Sequence, residues 1–170
     1  MRRSGFTLIE ILVVLTIVSV MIAGALLSLG VTGVDRGHER DAERLRAMLD
    51  YLRDRAELEG REYGVLLDQA GYQFLVYDPE RREWRVNETP PLKPTRWVGE
   101  RRVELTIDGR RAVLAARAQD SQAPRPQIGV DALGEFTDFT LRWPAADSSP
   151  PLQLYIDQRG TVTLSPMDVR

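Results

Sequence analysis

A long apolar run near the N-terminus constrains this 170-residue chain more than any other feature. Residues 11–34 are 24 consecutive positions without an ionisable side chain, and Glu10 lies directly before them. A helix of that length covers about 36 Å at a rise of ~1.5 Å per residue, whereas the hydrocarbon core of a bilayer is about 30 Å thick. The run therefore predicts a membrane-spanning helix, and the carboxylate at its start needs an explanation.

A secretory signal peptide and a simple signal anchor are the two plainest interpretations of the run. Ala23-Gly24-Ala25 resembles a signal-peptidase site, but the apolar residues continue past it to Val34. Glu10 is an accident under both interpretations. A charged side chain costs ~2.5–3.5 kcal/mol near the bilayer centre and less near the interface. We therefore favour an interpretation in which Glu10 has a function.

The residues around Glu10 form a specific motif. A basic leader ends at Gly5, and F-T-L-I-E and the apolar run follow it. The sequence G-F-T-L-I-E resembles the class III signal of type IV pilins and type II secretion pseudopilins. This resemblance implies that a prepilin peptidase cleaves between Gly5 and Phe6, and that the new amine of Phe6 is N-methylated. It also implies that Glu10 pairs with the Phe6 amine of a neighbouring subunit during assembly.

Physical chemistry is consistent with these residue types. Gly5 lacks a Cβ, so an extended backbone can enter a protease site there. Pairing with a cationic amine offsets the cost of placing Glu10 among apolar groups, and buried ion pairs have attested roles in fixing register. The amine of the same chain, one helical turn away, is an alternative partner, and a protonated, solitary Glu10 is another. Tip subunits of this family commonly lack the glutamate, which favours a position below the tip.

Downstream of the apolar run, the sequence predicts one helix and about eight short strands. Residues 39–59 carry an apolar stripe opposite a charged face, and Gly60 ends this pattern. The stripe comprises Ala42, Leu45, Leu49, Leu52 and Ala56, with Met48 beside it. Gly30, Gly33 and Gly37 mark a joint that either bends on assembly or only connects the two segments.

Strand-like segments then alternate with turn signals, and Asp108-Gly109 is a strong hairpin signal between two of them. Residues 112–117 are predicted to be the second strand of that hairpin, and residues 89–96 a proline-rich connector. Gln158-Arg159-Gly160 predicts a turn between the last two strands.

These elements predict an α+β fold. A long N-terminal helix spans the membrane with its first half and packs with its second half on an antiparallel, β-rich C-terminal domain. This order resembles the pilin plan, and segments such as REYGVLLD and GEFTDFTLRW resemble the H-type minor pseudopilins of type II secretion. The predicted domains are a cleaved leader (1–5), a transmembrane and filament-core helix (6–34) and a periplasmic globular domain (35–170) that is helical to about residue 59.

The resemblance implies a structural subunit and not an enzyme. Such a minor pseudopilin crosses the inner membrane once, with its N-terminus cytoplasmic and its C-terminal domain periplasmic. It joins a periplasmic pseudopilus that drives export of folded proteins across the outer membrane. The implied partners are the prepilin peptidase, the major pseudopilin, other minor pseudopilins and the inner-membrane assembly platform. Flanking arginines do not orient the segment, because both flanks carry them.

Composition excludes several kinds of chemistry. The chain has no cysteine, which excludes disulfides, iron–sulfur clusters and cysteine-ligated zinc. His38 is the single histidine, so we predict no catalytic triad, no metal site and no cofactor. Asp131, Glu135 and Asp138 surround Gly134, and this group could hold calcium. We interpret it as an acidic turn and leave calcium open.

Two other classes of function remain as alternatives. A minor pilin of a type IV pilus, including one that takes part in DNA uptake, carries the same N-terminal motif. Nucleic acid is not an expected partner, because the net charge is −2 and the arginines of the predicted turns alternate with acids. We interpret Trp84, Trp97 and Trp143 as core or interface aromatics. A membrane-tethered periplasmic enzyme is the third class, and it would depend on His38.

Overall fold

The computed structural model describes residues 8–35, 37–98, 102–116, 124–145 and 150–167. Two helices come first, α1 (Leu8–Asp35) and α2 (Gly37–Glu59). The strands that follow are β1 (Tyr63–Leu67), β2 (Gly71–Asp78), β3 (Glu83–Val86), β4 (Thr95–Arg96), β5 (Glu104–Ile107), β6 (Arg110–Ala112), β7 (Ile128–Val130), β8 (Phe139–Trp143), β9 (Leu152–Ile156) and β10 (Val162–Pro166).

Neither α1 nor α2, over the residues described, is both long enough and apolar enough to cross a membrane. The predicted boundaries of the leader, the transmembrane helix and the periplasmic domain stay predictions. Gly30 and Gly33 lie within α1, whereas Gly37 begins α2.

The amphipathic helix predicted for residues 39–59 is confirmed by α2, which begins slightly earlier, at Gly37. All five residues of the predicted stripe are fully buried, and Met48 packs against the core beside them. Burying each leucine contributes about 1.5–3 kcal/mol, so the stripe holds α2 firmly on the strands. The helix ends at Gly60, whose φ of +60° is the left-handed conformation typical of helix C-termini.

The strands form two antiparallel sheets, which confirms the predicted α+β class with an antiparallel β-rich domain. The first sheet has the order β3-β2-β1-β7, with β4 also pairing with β2. The second has the order β10-β9-β8-β5-β6. Side chains from both sheets, such as Phe74 and Phe139, share one core with the stripe of α2. The division into two sheets was not part of the prediction.

Two predicted turns are confirmed by the backbone. Asp108 and Gly109 connect β5 to β6 with φ values of 47° and 73°, as a two-residue hairpin of this type requires. Between β9 and β10, the Oδ1 atom of Asp157 accepts hydrogen bonds from the N–H of Arg159 at 2.8 Å and of Thr161 at 2.9 Å. Local side-chain chemistry thus closes this turn.

Two details of the strand prediction are wrong. The strand predicted for residues 112–117 instead covers Arg110–Ala112, and residues 113–116 lie in no strand. The two-residue turn makes pairing resume at Arg110, opposite Ile107, and the carbonyl of Ala115 accepts a hydrogen bond from the Gln69 N–H at 3.0 Å. That contact draws the chain away from β5 and towards the first sheet.

The second error concerns β4, which lies inside the predicted proline-rich connector and pairs with the start of β2. The pairing depends on Gly71, because a Cβ there would collide with the Thr95 carbonyl and lie 2.9 Å from the Arg96 Cα. This short strand was not predicted because the segment contains prolines, and proline weakens any strand prediction.

Candidate assembly surface

The first half of α1 exposes its apolar side chains. Every side chain from Leu8 to Gly24 is exposed, with Leu8 at 85% and Met21 at 70%. A helix on a globular domain normally hides one apolar stripe, whereas a helix that is apolar all round is covered by other apolar groups. The exposed apolar area of α1 therefore indicates an interaction surface.

Hydroxyl groups on this part of α1 are satisfied within the helix. The Thr16 Oγ1 atom donates to the carbonyl of Val13 at 2.8 Å, and the Ser19 Oγ atom donates to the carbonyl of Leu15 at 2.8 Å. Polar groups that bond to their own helix can enter an apolar environment without losing a partner. Thr16 and Ser19 therefore do not prevent this surface from being covered.

Glu10 is the acidic residue of the first turn of α1, and it is exposed. A carboxylate at this position interacts favourably with the helix dipole, by about 0.3–1 kcal/mol at an exposed site. Glu10 takes part in none of the ion pairs between the described residues. Because its side chain is exposed, this carboxylate is accessible to solvent.

Gly5 and Phe6, the predicted cleavage site, lie outside the described residues. Cleavage between them, N-methylation of Phe6 and the pairing of its amine with Glu10 stay predictions. The structure contributes the position of Glu10 at the start of an exposed helix.

His38 lies at the start of α2 and is only 1% exposed. Neither ring nitrogen has a hydrogen-bond partner among the residues described. Nearby, the Asp41 Oδ2 atom accepts a hydrogen bond from the Val98 N–H at 2.6 Å, and a Cβ on Gly37 would lie 3.1 Å from the Val98 Cγ1 atom. These contacts seat the first turn of α2 against the segment that follows β4.

Of the acidic residues around Gly134, Asp131 and Glu135 belong to a closed turn, whereas the Asp138 carbonyl accepts a hydrogen bond from the Asp108 N–H at 3.1 Å. The Asp131 Oδ1 atom accepts hydrogen bonds from the N–H of Leu133 and of Glu135, both at 2.9 Å. Gly134 has a φ of +79°. Within the described ranges, no three His, Cys, Asp or Glu side chains are grouped so that they could hold a metal ion. The geometry is that of an acidic turn.

Three arginines in or beside the predicted turns have carboxylate neighbours. The ion pairs are Arg81–Glu83 at 4.0 Å, Arg85–Asp78 at 3.5 Å and Arg111–Glu104 at 2.7 Å. Arg101 lies outside the described residues. These acids reduce the positive potential that phosphate binding needs.

The tryptophans occupy the predicted kinds of position. Trp97 and Trp143 are buried and meet edge to face, with ring centroids 5.9 Å apart. Trp84 is half-buried against Tyr77, with the centroids 5.3 Å apart.

Sequence reasoning missed the contacts of Arg53 on α2. Its Nε atom donates to the Gly134 carbonyl at 3.2 Å, its terminal nitrogen donates to the Gly160 carbonyl, and its guanidinium lies 5.0 Å from the centre of the Phe136 ring. No pattern in α2 distinguishes Arg53 from the other arginines of the helix. Only the tertiary structure identifies it as the link between α2 and two turns.

A second missed cluster joins the end of α2 to β1. The Tyr63 hydroxyl donates to Glu59, whose other oxygen accepts from the Arg55 Nε atom at 2.7 Å. The hydrogen bond from Tyr63 lowers the pKa of Glu59, and burial raises the pKa of Tyr63. The cluster stabilises the reversal of the chain at Gly60.

Comparisons with known proteins bear on both parts of the chain. Residues 1–26 match the family described as the prokaryotic N-terminal methylation motif. Type II secretion system protein H of Pseudomonas aeruginosa is 38% identical over 149 residues, which cover 84% of this chain and 84% of that protein. Type II secretion system protein H of Klebsiella michiganensis is 25% identical over 183 residues, covering 97% of each.

Solved structures share the fold. The crystal structure of the minor pseudopilin EpsH from the type II secretion system of Vibrio cholerae has a TM-score of 0.64 and 21% identity, covering 81% of this chain and 100% of that one. The solution structure of Escherichia coli GspH has a TM-score of 0.58 and 20% identity, covering 81% and 95%.

Proposed function

The chain belongs to the family of type II secretion system protein H, the H-type minor pseudopilins, and from this premise we propose how it acts in the secretion system. It is a structural subunit of a periplasmic pseudopilus that drives export of folded proteins across the outer membrane. The observation that carries the proposal is α1, an exposed apolar helix with one carboxylate in its first turn.

Maturation begins at the N-terminal motif. The prepilin peptidase removes residues 1–5, and the amine of Phe6 is then N-methylated. The chain is anchored once in the inner membrane, with the leader cytoplasmic and the globular domain periplasmic. The match of residues 1–26 to the methylation motif supports these steps.

Assembly then transfers α1 into the centre of the filament. There its apolar side chains contact the corresponding helices of the major pseudopilin and of the other minor pseudopilins, and the inner-membrane assembly platform guides the transfer. α2 and the two sheets keep their own core, so the globular domain stays folded while α1 changes its surroundings.

Glu10 sets the register of assembly in this account. Its carboxylate pairs with the Phe6 amine of a neighbouring subunit. Removing one partner of a buried ion pair costs about 3–5 kcal/mol, because the remaining charge is left uncompensated. A subunit that lacks Glu10 would therefore enter the filament poorly although its apolar helix is intact.

The variant Glu10→Val tests this role, with Glu39→Val as the matched control. Both glutamates are exposed and lie in the first turn of a helix, α1 and α2 respectively. We expect normal leader removal in both variants, at least a tenfold loss of Glu10→Val from isolated pseudopili, and little change for Glu39→Val. Quantitative immunoblots of filament and membrane fractions measure the ratio. Equal incorporation of the two variants would overturn the pairing account.

A minor pilin of a type IV pilus that takes part in DNA uptake is the second candidate, because its N-terminal motif is the same. The paired arginines of the described turns argue against DNA binding. Titration of the full chain in detergent with duplex DNA at low and physiological salt separates the candidates. A DNA-binding pilin shows a steep fall in affinity with salt, and we expect no binding at either concentration.

A further inference from the structure

A cleft of about 330 Å³ lies on the first sheet, and acidic and aromatic side chains share its lining. Three acidic residues, Glu62, Asp131 and Glu135, line it together with Trp84 and Phe136. The Asp131 turn and the start of β3 are distant in sequence, so the tertiary structure brings these two parts of the cleft together.

The cleft lies at the end of the globular domain where α2 ends. The chain reverses at Gly60 after α2, so Glu62 stands beside the C-terminal end of that helix. The Glu62 carbonyl accepts a hydrogen bond from the Tyr77 N–H at 3.0 Å, and Tyr77 pairs with Trp84 across β2 and β3. Arg53 holds the Asp131 turn to α2 through the Gly134 carbonyl at 3.2 Å. Both sides of the cleft are thus attached to regular structure.

The negative charge of the cleft is not neutralised within the described chain. Asp131 uses one oxygen to close its own turn. Glu62 and Glu135 are exposed, and neither takes part in the ion pairs between described residues. Arg53 is engaged by two carbonyls and the Phe136 ring, and Arg61, next to Glu62 in sequence, donates to the Tyr77 carbonyl at 3.2 Å. The acids of β3 and β5, in contrast, are paired with arginines.

Two exposed leucines adjoin the acidic turn. Leu133 is 77% exposed within the turn, and Leu58 is 87% exposed near the end of α2. Gly134 follows Leu133 in sequence, and Glu57 precedes Leu58. These two neighbours are in contact, because a Cβ on Gly134 would collide with the Glu57 carboxylate. Exposed apolar side chains therefore lie on and beside the turn whose Asp131 and Glu135 line the cleft.

We propose that this cleft binds an arginine side chain of a neighbouring pseudopilin, with Leu58 and Leu133 forming the apolar margin of the contact. The proposal rests on the proposed function, since it takes the partner to be another subunit of the same filament. In an assembly held together by α1, a subunit that is displaced along α1 contacts one of the two ends of this globular domain. The cleft lies at one of these ends of the domain.

Charge and shape favour arginine as the occupant. A guanidinium pairs with a carboxylate through two parallel hydrogen bonds and stacks on an aromatic face, which a lysine ammonium does less well. Tryptophan is the best aromatic partner for a cation, and Trp84 is half-buried in the cleft with no cation over its ring among the described residues. Arginine and tryptophan are also enriched where interfaces concentrate their binding energy.

Photo-crosslinking of the full chain in its native bacterium tests the proposal. A photoreactive amino acid replaces Leu133 in one variant and Val113, which follows β6 and is 96% exposed, in the control. We expect the probe at position 133 to crosslink to another pseudopilin, at a segment that contains an arginine. We expect the probe at position 113 to give no such product.

Charge reversal establishes whether the contact is ionic. The double variant Glu62→Arg, Glu135→Arg is expected to reduce the crosslink at position 133 at least fivefold, and reversing the mapped arginine to glutamate should restore it. Both glutamates are exposed, so the fold should tolerate the change, whereas Asp131 closes a turn and is left intact. Glu43→Arg, an exposed control on α2, should leave the crosslink unchanged.

Three results would overturn the proposal: no pseudopilin adduct at position 133, an adduct that maps to a segment without arginine, or an adduct that survives the double charge reversal. A photoreactive residue in place of Leu12 on α1 separates this failure from failure of the proposed function. If the probe at position 12 crosslinks to pseudopilins while that at position 133 does not, only the docking site is wrong. If neither does, the proposed function is contradicted as well.

Discussion

Among the surface arginines, Arg53 is the one whose loss we expect to lower the stability of the domain most. Hydrogen bonds from charged groups contribute about 1.5–3 kcal/mol, and Arg53 donates to the carbonyls of two separate turns. We predict that Arg53→Ala lowers the free energy of unfolding by about 2–4 kcal/mol. Urea unfolding of the full chain in detergent, followed by the fluorescence of the buried tryptophans, measures the loss.

Arg111→Ala is the control for that prediction. Arg111 pairs with Glu104 at 2.7 Å, but both side chains are well exposed, and such pairs contribute only about 0.2–1 kcal/mol. Equal losses in the two variants would show that the contacts of Arg53 with the turns add nothing.

Asp157 contributes to the pH dependence of the domain's folding stability. The N–H of Thr161, followed by that of Arg159, donates to this carboxylate and lowers its pKa. The unfolded chain therefore binds the proton more readily. The stabilisation is present above the ordinary pKa of aspartate and is lost as pH falls through the lowered folded-state pKa.

Asp157→Asn keeps an acceptor for these N–H groups but removes the titration. We predict that unfolding curves of this variant change less than those of the parent chain as pH falls below the ordinary pKa of aspartate, about 4. Asp157→Ala removes the acceptor too, and it should be less stable than Asp157→Asn at neutral pH. An unchanged acid response in the asparagine variant would rule out this role for Asp157.

At the scale of single elements, β4 depends on the absence of a side chain at Gly71. A Cβ there would meet the backbone of β4, which cannot move aside without breaking its pairing with β2. Overpacking typically costs about 1–3 kcal/mol, and we predict a loss of that size for Gly71→Ala in the same urea assay. Faster hydrogen exchange at the Trp97 N–H, which donates to the Ala70 carbonyl, should accompany it.

Gly129→Ala is the control for Gly71→Ala. Its Cβ would meet only the Thr137 Oγ1 atom, at 3.3 Å, and a side chain can adjust where backbone cannot. A loss as large as that of Gly71→Ala would contradict the backbone collision.

Elements that are specified by residues close together in sequence could be predicted. The stripe and terminal glycine of α2 lie within a few turns of one helix, and Asp108-Gly109 specifies its own hairpin. Pairing between distant strands could not be predicted. β1 pairs with β7, for instance Tyr63 with Val130, and alternation within a strand says which face is buried without saying which strand lies beside it.

The whole molecule combines a helix that exposes apolar side chains with a domain that buries its own. The N-terminal motif could be read from the sequence, because its residues are contiguous and their order is specific. The acidic cleft could not, because Glu62, Trp84 and Glu135 come together only through the pairing of the first sheet and the contact of the Asp131 turn with α2. A sequence pattern shows an assembly signal more readily than a surface built from separate strands.

The mature N-terminus tests the central claim most directly, since the proposed partner of Glu10 exists only after cleavage. Mass spectrometry of the chain isolated from its native bacterium identifies the first residue. We predict N-methylated Phe6 at that position. A mature chain that still begins at Met1, or that begins near Leu26, would contradict it.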